Sequence, residues 1–268
     1  MISHNDIYTR IAELAPYEHA ETWDPTGPTL GWFNDQTSGV VVSLDLTNEA
    51  LQIAKDNHCN LIITHHPFLF SPIHKMMADN VEEKLLLSLA SEKITCFSCH
   101  TNLDAAEQGV AVTMFKQSLG DISYEKNIEI LQSNLEEPNI GHGRILKLTE
   151  KMKLSSLLKA IENNLSTVIQ VNTDQNDFVE KIAFTPGAFD EEWIATLVKK
   201  EIDLLVTGEI KHHVSVMLKE RNIALFAAGH GASEQTIVPY LVDQLKTSFP
   251  NIPFVENPGI VYNCLRSE

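Results

Sequence analysis

Apolar positions in this chain fall into short runs broken by polar and turn residues. Near the N-terminus Ile7, Ile11 and Leu14 share one helical face; Ser3 or Asn5 stands ready to cap it, and Pro16 stops it. The loop Trp23-Asp24-Pro25-Thr26-Gly27-Pro28 follows. Strands are then expected at 40–44, 61–64 and 94–99, and helices at 48–57, 81–91 and 108–119, the last closed by Gly120. A long loop spans 67–79. The polar stretch 123–143 interrupts the pattern, which resumes with strands at 143–148, 168–171, 181–184, 204–206 and 224–227. Helices are expected between them at 154–163, 192–200 and 214–220, and after them at 234–245, with a last short strand at Phe254 and Val255. Strands alternating with helices predict βαβ units and parallel sheets, an α/β fold.

The two halves resemble each other. Leu61-Ile62-Ile63-Thr64-His65-His66 parallels Leu204-Leu205-Val206-Thr207-Gly208-Glu209, and Asp104-Ala105-Ala106-Glu107-Gln108 parallels Gly231-Ala232-Ser233-Glu234-Gln235 with one residue shifted. A weak internal duplication is the reading: two similar α/β domains related by a pseudo-two-fold. Residues 1–127 with 253–268 would form the first and 128–252 the second.

The composition narrows the classes. The chain has 268 residues, 43% of them apolar, enough for two ordinary domains with full cores. A net charge of −16 without a Lys/Arg cluster speaks against a general nucleic-acid surface, though a local positive site can still hold one phosphate. No run approaches the ~18 apolar residues of a membrane span. The N-terminus lacks a basic-then-apolar signal, so a cytoplasmic location is expected. Cys59, Cys96, Cys99 and Cys264 are the cysteines. Cys96 and Cys99 have the CxxC spacing of zinc or redox sites, but they lie inside an expected strand, where residues three apart face opposite ways. Two buried thiols are the expectation.

The candidate chemistry collects at three strand ends. A buried strand has no packing reason to finish on His65-His66. His100-Thr101-Asn102-Leu103-Asp104 follows the next strand, and Gly229-His230-Gly231-Ala232-Ser233-Glu234 follows a strand of the second half. Ligands of open parallel sheets bind outside the carboxyl ends of the strands. The inventory suits two divalent ions: His65 and His66 taking one each, Asp104 and His230 completing one side each, and Glu234 bridging. Five protein ligands leave positions for water, the mark of a catalytic rather than a structural site. Singly, each residue has a plainer explanation. Asp104 would cap a helix, Glu234 would favour a helix dipole, and His212-His213 would be a solvated helix start with Glu209 beside it. Jointly, at three equivalent strand ends, those explanations fail.

At these residues the sequence resembles the dinuclear-metal hexameric proteins known as GTP cyclohydrolase type 2 homologues or NIF-three-like proteins. The matching motifs are Ile62-Ile63-Thr64-His65-His66-Pro67, His100-Thr101-Asn102-Leu103-Asp104-Ala105-Ala106, Thr207-Gly208-Glu209-Ile210-Lys211-His212-His213, Ala228-Gly229-His230 with Glu234, and Gly141-His142-Gly143-Arg144. The resemblance implies a pair of metals in the cleft between the two domains, and a ring-shaped homo-hexamer. It implies His65 and Asp104 on one ion, His66 and His230 on the other, and Glu234 on both, with His100 close behind. The chain departs from the family at 23–31, where prolines replace Asn and apolar residues, and at Glu107 and Gly231.

Together these readings predict a metal-dependent hydrolase, its two ions being zinc, iron, manganese or nickel. The net positive centre would suit a small anionic substrate, a phosphate ester or nucleotide. His100 or Glu209 would move a proton, and Glu234 would hold the ions in place for catalysis. The rival classes are a metal carrier, a regulatory ring-shaped adaptor, and a ring scaffold with vestigial metals. No residue identifies a guanine pocket.

Overall fold

The computed structural model describes residues 1–259 apart from 134–136, 138, 166, 168–169 and 173–177. Part of the strand expected at 168–171, and Cys264, lie outside the described residues. Contacts divide the chain into two compact units, Met1–Ala106 with Val238–Gly259, and Glu107–Ile237. No helix among the described residues is long and apolar enough to cross a membrane.

The first unit opens with α1 (His4–Leu14). Ser3 is its cap: its hydroxyl accepts from the Asp6 amide while the Asp6 carboxylate accepts from the Ser3 amide, a reciprocal capping box. Then come β1 (Gly27–Leu30), β2 (Val40–Ser43), α2 (Asn48–Asp56), β3 (Leu61–Thr64), α3 (Val81–Ser91), β4 (Thr95–Ser98) and the short α4 (Thr101–Ala105). The chain returns at its far end with α10 (Ile237–Ser248) and β11 (Phe254–Glu256). The sheet order is β1-β4-β3-β2-β11. β4, β3, β2 and β11 run parallel, as the alternation predicts. β1 departs from the loop expected at Gly27 and Pro28. It pairs antiparallel with β4 at the sheet edge, where a proline costs no ladder bond. β2, β3 and β4 are buried at every position, so their sequences are continuous runs without polar alternation.

The second unit contains α5 (Val110–Leu119), β5 (Glu129–Ser133), β6 (Gly141–Lys153), α6 (Leu154–Leu165), β7 (Gln170–Val171), β8 (Phe178–Ala188), α7 (Ile194–Lys199), β9 (Leu204–Glu209), α8 (His212–Lys219), β10 (Ala224–Ala227) and α9 (His230–Glu234). Its sheet order is β5-β6-β8-β9-β10-β7, with β8, β9 and β10 parallel and β5, β6 and β7 antiparallel to their neighbours. Side-chain alternation gives this sheet two covered faces. Leu146, Phe184, Val206 and Phe226 join α5 and α6 in one core, while Ile145, Ala183, Leu205 and Leu225 join α7 and α8 in the other. β5 lies within the polar stretch where no strand was expected, because it is an edge strand with only Leu131 buried.

Two helices expected to be single and long are each preceded by a separate short helix. His100 is the cap residue of α4, and Asp104 lies within it. Glu234 ends α9 and does not begin α10. The chain leaves the first unit just after α4 and leaves the second just after α9 and the first residue of α10.

Candidate metal centre

In the first unit the backbone at the end of β3 explains how adjacent histidines come to face one region. The amides of His65 and His66 both donate to the Leu44 carbonyl, at 3.1 and 2.9 Å, so the pleat ends and the two rings swing together. Their centroids lie 4.9 Å apart. His100, at the end of β4, stands 5.2 Å from His65 and 5.6 Å from His66, ring to ring. One ligand nitrogen from each of the three falls within 4.8 Å of the others. One helical turn beyond His100, Asp104 turns its Oδ1 to His65 Nε2 at 3.7 Å.

The outer nitrogens are held. His65 Nδ1 lies 2.9 Å from the Cys99 carbonyl oxygen, which can only accept, so Nδ1 is the donor there and Nε2 is the nitrogen on the side of Asp104. His66 Nδ1 makes the same kind of contact with Asp45 Oδ1 at 2.9 Å. His100 Nδ1 lies 3.1 Å from Asp24 Oδ1, and the Asp24 carboxylate is fully buried. Asp24 also receives the Thr101 amide at 3.0 Å and the Thr101 hydroxyl. Burial alone would raise its pKa; the hydrogen bonds from His100 and Thr101 together overcome that and hold the carboxyl below its usual range. Thr26 completes the staple, its hydroxyl receiving the His100 amide at 3.1 Å.

In the second unit His230 and Glu234 occupy i and i+4 of α9, and His230 Nε2 meets Glu234 Oε2 at 3.1 Å. His230 Nδ1 is bound by Glu209 Oε1 at 3.0 Å, from the end of β9. Glu234 is buried, whereas Glu209 is mostly exposed. Gly187, at the end of β8, lies against this pair with φ +67°, and a Cβ there would stand 2.3 Å from Glu234 Oε1. The Ser233 hydroxyl accepts from the Gly187 amide at 2.9 Å and donates to the His230 carbonyl at 2.7 Å, tying α9 to the strand. Gly208 is equally confined, between Gly187 and Ser233.

Sequence reasoning missed Asp24, Asp45, Gly187 and Ser233. Each acts on a residue far away in the chain, and none carries a local signal beyond its type. His212 and His213 begin α8, and His213 pairs with exposed Glu191 at 2.7 Å. Cys96 and Cys99 are fully buried, and burial pushes both thiols up to about 12. Arg144, from the glycine-rich motif, is buried and donates to the carbonyls of Gly141, Gly143 and Glu107; burial draws it down to about 10.

The donor set fits divalent ions. It consists of imidazole nitrogens and carboxylate oxygens, with each histidine's outer nitrogen engaged by an oxygen, as for ligating imidazoles generally. The separations of 3.1 and 3.7 Å bracket the ~3.3 Å between two ligands of one tetrahedral ion, from metal–ligand bonds of about 2.05 Å.

The fold and these clusters define an α/β protein with histidine–carboxylate groups at the carboxyl ends of parallel strands. The chain belongs to the Duf34/NIF3 (NGG1p interacting factor 3) family, whose model matches residues 2–258. It is 30% identical over 245 residues to a Lactococcus lactis protein named GTP cyclohydrolase 1 type 2 homolog, covering 91% of each chain. It is 26% identical over 236 residues to the Drosophila melanogaster NIF3-like protein 1, covering 85% of this chain and 77% of that one. Among solved structures, a Bacillus cereus protein related to NIF3 superposes with a TM-score of 0.85 at 18% identity, covering 96% of each chain. A Staphylococcus aureus hypothetical protein gives 0.85 at 21% identity, covering 95% of this chain and 96% of that one.

Proposed function

We propose that this protein is a dinuclear metal-dependent hydrolase of a small anionic substrate, a phosphate ester or a nucleotide. The observation that carries the reading is the uniform treatment of His65, His66 and His230. Each has Nδ1 held by an oxygen, which fixes the ring, and His65 and His230 turn Nε2 toward a carboxylate oxygen, that of Asp104 at 3.7 Å and that of Glu234 at 3.1 Å, a pairing of donors that suits a divalent ion. His65, His66, Asp104, His230 and Glu234 would hold two divalent ions. When bound, the ions would supply an activated water and neutralise anionic oxygens. His100, fixed by Asp24, would hold or pass a proton at Nε2. Glu234, excluded from water and pressed by Gly187, would keep its two oxygens in one orientation. The relatives' name, GTP cyclohydrolase 1 type 2 homolog, suggests opening of a purine ring, and no contact among the described residues singles out guanine. A pseudo-two-fold between the halves and a homo-hexameric ring belong to the same proposal, the latter measurable by light scattering.

The test is a metal-restored screen of phosphate esters and nucleotides with Glu234→Ala as control. Turnover in the native protein, lost in the variant while the circular dichroism stays unchanged, supports the hydrolase. A folded, metal-replete protein that turns over nothing in the screen returns the chain to the carrier or adaptor class.

A further inference from the structure

Two large aromatic side chains of the first unit stand mostly in water. Trp23 is 63% exposed and Phe70 59%. One exposed aromatic needs no explanation. These two come from separate loops, one before β1 and one after Pro67, and both reach the same imidazole. Trp23 meets the His100 ring at 6.1 Å and 77°, and Phe70 meets it at 6.2 Å and 85°. His100 in turn stands with His65 and His66. Both rings therefore sit at the rim of the imidazole cluster.

The position of Trp23 is fixed by its neighbours. Asp24 is locked by His100 and Thr101, and the Glu21 amide donates to the Thr101 hydroxyl at 2.9 Å, so the loop is stapled on both sides of the tryptophan. Phe70 differs from its neighbours Phe68 and Leu69, which pack against the core of the first unit. The chain thus holds two rings out of its core, near-perpendicular to an imidazole that is itself immobilised. Two rings left mostly in water beside a candidate reaction centre offer what a planar ring needs: stacking is tolerant of ring identity and requires only a π face.

We propose that Trp23 and Phe70 form a stacking platform for a planar heteroaromatic ring of the substrate, carried on the same molecule as the anionic group. The placement of the anionic group at the histidine cluster rests on the hydrolase reading above; the platform itself rests on the two rings and His100. The substrate class narrows accordingly, from any small phosphate ester to one bearing a heteroaromatic ring.

The experiment compares ligands that share a phosphate and differ by the ring. Metal-replete full-length protein is titrated by calorimetry with adenosine, guanosine and uridine 5′-monophosphates and with ribose 5-phosphate. At least one nucleotide should bind roughly tenfold or more tightly than ribose 5-phosphate. Trp23→Ala and Phe70→Ala should each bring that ratio toward one, and Trp23→Phe should retain most of it. Both side chains are exposed, so the variants should keep the native circular dichroism. Equal affinity for nucleotides and ribose 5-phosphate overturns the platform, as does absence of binding by all four or a ratio unmoved in both alanine variants. The two readings fail separately. Ring-dependent binding without turnover removes the hydrolase and keeps the platform, whereas turnover of esters without ring preference does the reverse.

Discussion

The histidine–carboxylate clusters of the two units are alike in sequence and differ in how they are held. Each unit places a histidine and an acid four residues apart on or beside a five-residue helix, His100 with Asp104 and His230 with Glu234. In the second unit the two partners face each other, Nε2 to Oε2 at 3.1 Å. In the first, Asp104 turns to His65, and His100 is held from behind by a buried aspartate of another loop. The first unit thus assembles three imidazoles and a carboxylate, whereas the second contributes one of each.

The sharpest way to break that comparison is at Glu234. If it bridges, Glu234→Ala should lower bound metal from two ions per chain to one or none and reduce turnover at least ~100-fold, read by elemental analysis and steady-state kinetics. Two ions still bound at native affinity would remove the bridge. Gly187→Ala comes next, since the added Cβ meets Glu234 and the backbone φ is positive. A stability loss of about 1–3 kcal/mol in urea unfolding is expected, with weaker metal binding as the carboxylate is displaced.

Asp24→Asn tests the buried support in the first unit. A ten- to hundredfold loss of turnover is expected at unchanged metal content, the scale of other orienting partners of site histidines. Its effect on stability has a defined pH sense. Because the folded Asp24 carboxyl is held below its usual range, its contribution is present above the unfolded value of about 3.9 and is lost as pH falls through the lower folded value. The urea midpoints of the native protein and Asp24→Asn should converge only in acid. Smallest is Glu209→Ala: this partner of His230 is 60% exposed, so its hold is screened, and metal affinity should fall only a few-fold by competition with a chelator. An effect as large as that of Asp24→Asn would erase the contrast between buried and exposed support.

Much of the architecture was legible in the chain. β3, α3 and β10 have the bounds that the apolar runs predict, and β2, β4 and α2 differ by a residue or so at their ends. These elements are buried on one stripe or on both faces, so burial writes itself directly into the sequence. β1 and β5 were hidden because edge strands carry few buried residues, and β1 also contains a glycine and a proline. α4 and α9 were hidden because five residues are too few for a helical period to show.

By itself the sequence determined the α/β alternation and the residue types gathered at the strand ends, because strand period and the placement of His, Asp and Glu are local properties. Only the tertiary structure decided which nitrogen of each histidine is held and which acid each histidine meets. Asp24 is 76 positions from His100, Asp45 is 21 from His66, and Gly187 is 47 from Glu234. Contacts across such separations arise from folding of the whole unit, and no local pattern along the chain records them.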